Sequence, residues 1–321
     1  MLVDATSVLR GGNTALIKIG RDAGETARTM MAHAIRPALT HSGLPDDAVR
    51  LITRLERAAT WAMLSDRRLG VAVVRGSGPA VAQMGDVARQ SGVAVSLHGI
   101  GGPWLMADEH ADALRFTAAV ACSLDRKVCN TLNVCCIDRS RVADLVPSLL
   151  EGLERAASPI GGFRIHVLQG SENYVPAGLF SSMVVTTRDG QMVEETVATI
   201  LPYSGLSTEW EWDETPEISF VVVDGLDEAI GLFNQHSPRF VASLISDNTT
   251  AQKCFFEAVN APFIGNGFTR WADGQYAFDK PELGLSNWEH ERPLARGAIL
   301  SGSDIFSLRY RMDQVDLDIH R

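Results

Sequence analysis

The chain has 321 residues, 45% of them hydrophobic, enough to bury a sizeable core in two domains or one large one. A formal net charge of -10 leaves no basic surplus to neutralise phosphates, which excludes nucleic acid as the main partner. No apolar stretch reaches the roughly 18 residues that span a bilayer, and the N-terminus lacks the regions of a signal peptide, so a soluble, cytoplasmic protein without membrane contact is expected.

In chain order, the end of a helix leads through the turn Gly11-Gly-Asn13 into a short β run, Thr14 to Ile19, in which Lys18 is the one charge. From the residues alone Lys18 is a strand-end lysine reaching solvent. Helical spacing predicts a helix from Ala23 to about Ser42, closed by Gly43-Leu-Pro45, and a second from Asp46 to about Leu55. The apolar run Leu69 to Val74 ends in Arg75-Gly-Ser-Gly78 and opens into a helix from Pro79 to Gln90. A strand, a glycine turn and a helix can hold an anion such as a phosphate, although so short a motif is equally a plain tight turn. The strand Val93 to Leu97 runs into His98-Gly-Ile-Gly-Gly-Pro103. His98 reads as a base, a ligand or a structural residue packed in the glycine turn. A helix spans His110 to Ser123, and the alternation of strands with helices predicts a parallel, doubly wound sheet.

The stretch Leu124 to Ile137 places Cys129 in a short polar loop between that helix and the next strand. Arg126 and Lys127 precede it and Asn130 follows. A thiol is nucleophilic as thiolate, which nearby cations favour, and a loop at the mouth of a strand can expose it. The other four cysteines, Cys122, Cys135, Cys136 and Cys254, complete an odd, irregularly spaced set that fits neither a disulfide framework nor a zinc site. Beyond the helix Arg141 to Arg155, a hairpin is expected around Asp189-Gly190, with its second arm running to about Leu201. Glu209 to Glu214, acidic with two tryptophans, reads as a surface loop. Then come a buried strand, Ile218 to Val223, and a helix, Leu226 to Asn234, capped by Asp224 or Asp227. A strand from Phe240 to Ser246, a helix from Thr249 to Val259 and a last strand-like piece, Ile305 to Met312, complete the reading.

In this order the motifs resemble the aldehyde dehydrogenase superfamily, and most closely its gamma-glutamyl phosphate reductase (glutamate-5-semialdehyde dehydrogenase) family. Val128-Cys-Asn130 resembles the nucleophile motif, and Asp224-Gly-Leu-Asp-Glu-Ala-Ile230 a strand-to-helix signature. Asn266-Gly-Phe-Thr-Arg-Trp-Ala-Asp-Gly274, Glu282-Leu-Gly-Leu-Ser286 and Ala295-Arg-Gly297 are similar to the family's later segments. Gly12 to Lys18, Gly43-Leu-Pro45, Arg75 to Gly78 and His98-Gly99 fall where its cofactor-side motifs lie.

The resemblance implies an aldehyde-dehydrogenase-like α/β fold with doubly wound parallel sheets in two domains. Residues 1–121 would form a cofactor-binding-type domain, incomplete at its N-terminal side, residues 122–300 a catalytic domain and residues 301–321 a C-terminal oligomerisation strand. It implies Cys129 and Asn130 as catalytic residues and NADP(H) as cofactor. Lys18 would lie near the adenosine ribose, Gly76, Ser77 and Gly78 near the pyrophosphate, and His98 on the cofactor side. Asn266, Thr269 and Arg270 would bind a small amino-acid-like substrate, and a homo-oligomer is expected. The chemistry implied is reduction of an acyl phosphate, or oxidation of an aldehyde, through a cysteine thioester. Two alternatives stand beside it: cofactor-independent acyl transfer through Cys129, and a catalytically degenerate homologue with a binding role and no cofactor.

Overall fold

Uninterrupted apolar runs in this sequence become the inner strands of one parallel sheet, as expected for strands covered on both faces. A computed structural model of the chain describes residues 1–20, 23–54, 56–76, 78–99, 101–157, 161–188, 190–285, 299–316 and 318. Two compact units result: Met1–Thr60 with Pro281–Leu283 and Leu300–Arg321, and Trp61–Lys280 with Gly284–Ile299. The first division falls at Thr60 and Trp61.

The first unit holds α1 (Leu2–Arg10), β1 (Ala15–Ile17), α2 (Gly24–Met30), α3 (Arg36–His41) and β2 (Val49–Leu51), with β1 and β2 paired in parallel. Instead of one helix from Ala23 to Ser42, α2 and α3 are joined by a π-turn, Met31–Ile35. Pro37, at the start of α3, has no N–H to give, so the hydrogen-bond ladder widens just ahead of it. The helix expected from Asp46 to Leu55 does not form. Ala48 N donates to Pro45 O at 2.9 Å to close a turn, and burial of Ala48 and Val49 with Ala5, Met31 and Leu39 favours the strand β2. Gly302 sits so close to α1 that a Cβ there would lie 1.7 Å from the Ser7 carbonyl oxygen, an approach open only to glycine. The expected strand Ile305 to Met312 is not formed, and residues 305–316 have no regular secondary structure. Phe306, Leu308, Tyr310 and Met312 stand exposed along them.

The helix α4 (Arg57–Leu64) contains the division. In the second unit β3 (Val71–Arg75), α5 (Gly78–Gln90) and β4 (Ala94–His98) form a parallel β-α-β unit, with Val81 and Ala88 packed on Ala72, Val74, Val93 and Val95. There follow β5 (Trp104–Ala107), α6 (Ala113–Cys122), β6 (Val134–Asp138), α7 (Val142–Ala157), β7 (Arg164–Leu168), β8 (Met183–Arg188) and β9 (Gln191–Thr196). Then come β10 (Ala198–Leu201), β11 (Glu217–Val223), α8 (Leu226–His236), β12 (Val241–Ile245), α9 (Thr249–Ala258), β13 (Phe263–Gly265) and α10 (Gly274–Phe278). A short pair, β14 (Glu282–Leu285) and β15 (Ile299–Ser301), completes the elements.

The main sheet has seven strands in the order β10-β7-β11-β6-β5-β12-β13, each paired in parallel with its neighbours. β5 lies before residue 121 yet sits between β6 and β12, so this sheet begins upstream of the position at which the sequence divides the domains. Phe116, Leu145, Leu149 and Leu153 of α6 and α7 belong to one buried cluster, and Phe233 and Phe255 of α8 and α9 to another. The helices α6 and α7 approach closely at Gly152, where a Cβ would lie 2.8 Å from Val120. Neither aspartate caps α8. Its N-cap is Gly225 at φ 112, the Asp224 carboxylate accepts from Arg139 and Asp227 lies in the first turn.

β8 and β9 form the expected antiparallel hairpin, but the alternating run to Leu201 breaks in two, and β10 joins β7 in the main sheet. The strand β7 was not legible because Arg164 and His166 interrupt its apolar pattern. Both are buried through Glu217 of β11: its carboxylate accepts from Arg164 and His166 at 2.6 Å and from Arg188 of β8 at 2.8 Å. Glu195 of β9 accepts from the same two arginines at 2.8 Å. Among the described residues no helix is long and apolar enough to cross a membrane.

Candidate active site

Cys129 sits in the loop that joins α6 to the amino end of β6, and hydrogen bonds local to that loop fix its shape. Thr131 N donates to Val128 O at 3.1 Å, which makes Cys129 the second residue of a tight turn. The Thr131 hydroxyl accepts from Val128 N at 2.9 Å and donates to Arg126 O at 2.6 Å. Leu132 N donates to Ser123 O, and Asn133 N to Pro103 O at 2.9 Å, closing the loop onto α6 and the start of β5.

Distant segments brace the same turn. The Asn130 side chain, buried, donates to Ala272 O at 2.8 Å and accepts from the Arg270 guanidinium. The Thr269 hydroxyl, fully buried, donates to Asn130 O at 2.8 Å, and its N–H donates to the Ser123 hydroxyl at 2.8 Å. Arg270 also binds Asp125 at 2.7 Å. Thr269 and Arg270, expected to hold substrate, therefore spend their polar groups on the loop that carries Cys129. Asn266 lies apart from this brace: it is exposed, and its carbonyl accepts from Arg115.

A second clamp comes from the segment read as a surface loop. Glu209 accepts from Lys127 Nζ at 2.9 Å and from Gly101 N at 3.3 Å, with both charged side chains largely buried. Trp210 N donates to the Asn133 side chain at 2.9 Å, and the Trp210 ring stacks on His166 at 3.6 Å between centroids. Trp212 is buried in the core, so both tryptophans anchor a strap and not a free loop. Burial pushes the carboxyl of Glu211, beside this clamp, above its ordinary value. The charge of Lys127 is thus matched by Glu209, and Arg126 is exposed beside Asp125.

What reaches the sulfur is His98. Its Nε2 lies 2.9 Å from Cys129 Sγ, while Leu285 N donates to its Nδ1 at 3.4 Å. His98 ends β4 opposite Arg75, the last residue of β3. Burial, aided by the Arg75 charge, lowers its pKa to about 4, so the ring is neutral at pH 7. The resemblance implies the cofactor side for His98; its ring contacts the thiol and its backbone bonds into the glycine turn. Gly76 N donates to His98 O at 3.3 Å, and Gly76 holds φ 153. A Cβ on Gly99 would lie 3.5 Å from the Gly78 Cα, and one on Gly101 1.6 Å from the Cys129 carbonyl oxygen. Gly101 therefore lets its segment pass the Cys129 backbone at a distance that only glycine allows. Cys129 itself is half-buried and packs beside Phe240, Phe263 and Leu285.

Among the expected cofactor residues, Gly76 and Gly78 flank the start of α5, whose first turn carries no acidic side chain. Ser77 lies outside the described residues, as do Ser286 and Ala295 to Gly297 of the later motifs. Lys18, half-buried just after β1, belongs to the first unit.

Comparison with known proteins bears on the fold. No family model matches the chain. The solved structure of gamma-glutamyl phosphate reductase from Thermotoga maritima superposes with a TM-score of 0.73 at 20% identity, over 95% of this chain and 68% of that one. An engineered glycolyl-CoA reductase with bound NADP+ superposes with a TM-score of 0.65 at 16% identity, over 91% of this chain and 66% of that one. The chain thus has the aldehyde dehydrogenase fold, and its motif order resembles that superfamily. Within it the sequence is similar to gamma-glutamyl phosphate reductases. It is 28% identical over 311 residues to gamma-glutamyl phosphate reductase 1 of Bacillus licheniformis, covering 94% of this chain. The chain spans 66% of that relative's length and 58% of the Nostoc punctiforme reductase, to which it is 24% identical.

Proposed function

We propose that the chain is an NADP-dependent reductase or dehydrogenase that acts on an acyl phosphate, or on the corresponding aldehyde, of a small amino-acid-like substrate through a thioester on Cys129. The observation that carries this reading is the 2.9 Å approach of His98 Nε2 to Cys129 Sγ in a turn braced from both Thr269–Ala272 and Glu209. In the reductive direction the Cys129 thiolate adds to the acyl carbonyl, the bond from carbon to the phosphate oxygen breaks, and phosphate departs with that electron pair. The thioester carbonyl held on Cys129 would then accept hydride, the chemistry that a nicotinamide would supply when bound. The carbon–sulfur bond then breaks to release the aldehyde and restore the thiolate.

The residues fit such a cofactor at its phosphate end. Gly76 holds the positive φ that the turn requires, and an α5 start without acidic side chains favours an anion. Gly76 and Gly78 would hold the pyrophosphate there. Because Gly76 N bonds to His98 O, the cofactor turn and the thiol share one residue. Self-association is part of the proposal: the exposed apolar residues from Phe306 to Val315 would meet a second copy of the chain. Light scattering should then show a lower mass once residues 305–321 are removed.

The test is NADPH oxidation with γ-glutamyl phosphate, and NADP+ reduction with the aldehyde. Turnover is expected in the wild type and should fall at least ~1000-fold in Cys129→Ser. Equal rates in the two proteins would overturn the reading. An acyl-enzyme trapped at Cys129 without any nicotinamide dependence would point to acyl transfer instead. Neither turnover nor cofactor binding would leave a binding role.

A further inference from the structure

The two nitrogens of His98 face different groups, and this fixes which of them holds the proton. Nδ1 receives the Leu285 backbone N–H, and a nitrogen that accepts a hydrogen bond has its lone pair free and carries no proton. In the neutral ring the proton then sits on Nε2, the atom 2.9 Å from Cys129 Sγ. We propose that His98 acts on Cys129 as a hydrogen-bond donor through Nε2–H, in a tautomer set by the Leu285 amide, and is not the base that removes the thiol proton.

Three observations support this. A ring already protonated at Nε2 cannot take a proton at that nitrogen, whereas it can donate to a thiolate. The described charged group that acts on the ring is Arg75, a cation on β3, which opposes a second proton and keeps the imidazole from becoming the positive half of a thiolate–imidazolium pair. The contact from β14 is a backbone amide, which does not titrate, so the tautomer persists across the working pH range. The same N–H has a second use once sulfur has added to a carbonyl: the oxygen that becomes negative is attached to the carbon bonded to Sγ, within reach of Nε2. Donors fixed in advance at such a position are among the larger contributors to catalysis of acyl transfer.

This inference rests on Cys129 being the nucleophile, and its test is kept separate from turnover. Alkylation of Cys129 by iodoacetamide, followed by peptide mass analysis from pH 5 to 10, gives the titration of that thiol in wild type, His98→Ala and His98→Gln. A donor to the thiolate predicts one inflection in the wild type, displaced upward by about one pH unit in His98→Ala. His98→Gln, which keeps an N–H but no titrating ring, should lie between them. A midpoint unmoved in His98→Ala, a second wild-type inflection that vanishes with the histidine, or no alkylation of Cys129 at any pH overturns the assignment. Nitrogen-15 NMR of the wild-type histidines reads the tautomer without a substitution: protonation of His98 at Nδ1 and not Nε2 also overturns it. Should the donor signature be present without any NADPH-linked turnover, the redox reading fails and this one stands. Cys129-dependent turnover with an unmoved midpoint gives the reverse.

Discussion

At the residue scale the backbone around Cys129 leaves little room for change. Gly101 is the sharpest case, since a Cβ there would lie 1.6 Å from the Cys129 carbonyl oxygen, and the obstructing atom is backbone and not a movable side chain. Gly101→Ala should displace the Cys129 turn and lower the alkylation rate of Cys129 at least ~10-fold, an effect of about 1.4 kcal/mol if carried by one equilibrium. Far-UV circular dichroism should remain close to wild type, because the affected loop holds no helix or strand. A variant that alkylates as fast as wild type would show that the turn can shift without consequence. Much of this site is legible from residue type alone: a polar loop between a helix and a strand, carrying a cysteine, is visible in the letters. The sulfur's neighbour is not. His98 lies 31 residues before it and Leu285 lies 187 after His98, and no local pattern signals that an amide and a thiol share one imidazole. The partner of Lys127 is hidden for the same reason, because the acid that binds it is 82 residues downstream.

At the scale of elements, the hairpin β8–β9 is joined to the main sheet by charge. Glu217 at the start of β11 is 1% exposed and meets Arg164, His166 and Arg188. Burial, the largest influence on its carboxyl, pushes the pKa up, but hydrogen bonds from His166 and Arg188 outweigh it and hold the group below its ordinary 4.5. A carboxyl lowered on folding contributes stability that is present above the unfolded value and lost as pH falls through the folded one. Glu217→Gln should therefore cost about 3 kcal/mol or more at pH 7, because it leaves buried arginines without their partner, and the difference from wild type should shrink below pH 4.5. Urea unfolding at both pH values measures it, and a constant difference would refute the linkage. The helices and most inner strands follow from apolar periodicity. The strand β7 does not, because alternating Arg164 and His166 look like a solvent-facing edge until the carboxylate that neutralises them is supplied from another strand. The π-turn before Pro37 follows from the missing proline N–H, whereas the strand in place of a helix after Pro45 shows tertiary burial overriding a local helical preference.

At the scale of the whole molecule, each unit is built from chain segments far apart in sequence. The first gathers residues 281–283 and everything from Leu300 onward to its N-terminal part, and the second draws in 284–299. The sheet itself alternates sides, with β11 inserted between β6 and β7 before the chain crosses to β12. The loop that carries Cys129 collects hydrogen bonds from partners 75 to 142 positions away. Contacts of that span close only after the intervening chain is in place, and closing them is slow. The thiol should thus acquire its distinctive reactivity last. During refolding from urea, quenched samples should show helix and sheet signals returning before the rapid labelling of Cys129, and simultaneous recovery would contradict this order. A newly made chain would on these terms keep its sulfur chemically ordinary until the architecture around it is finished, a safeguard against indiscriminate acylation while the polypeptide is still immature.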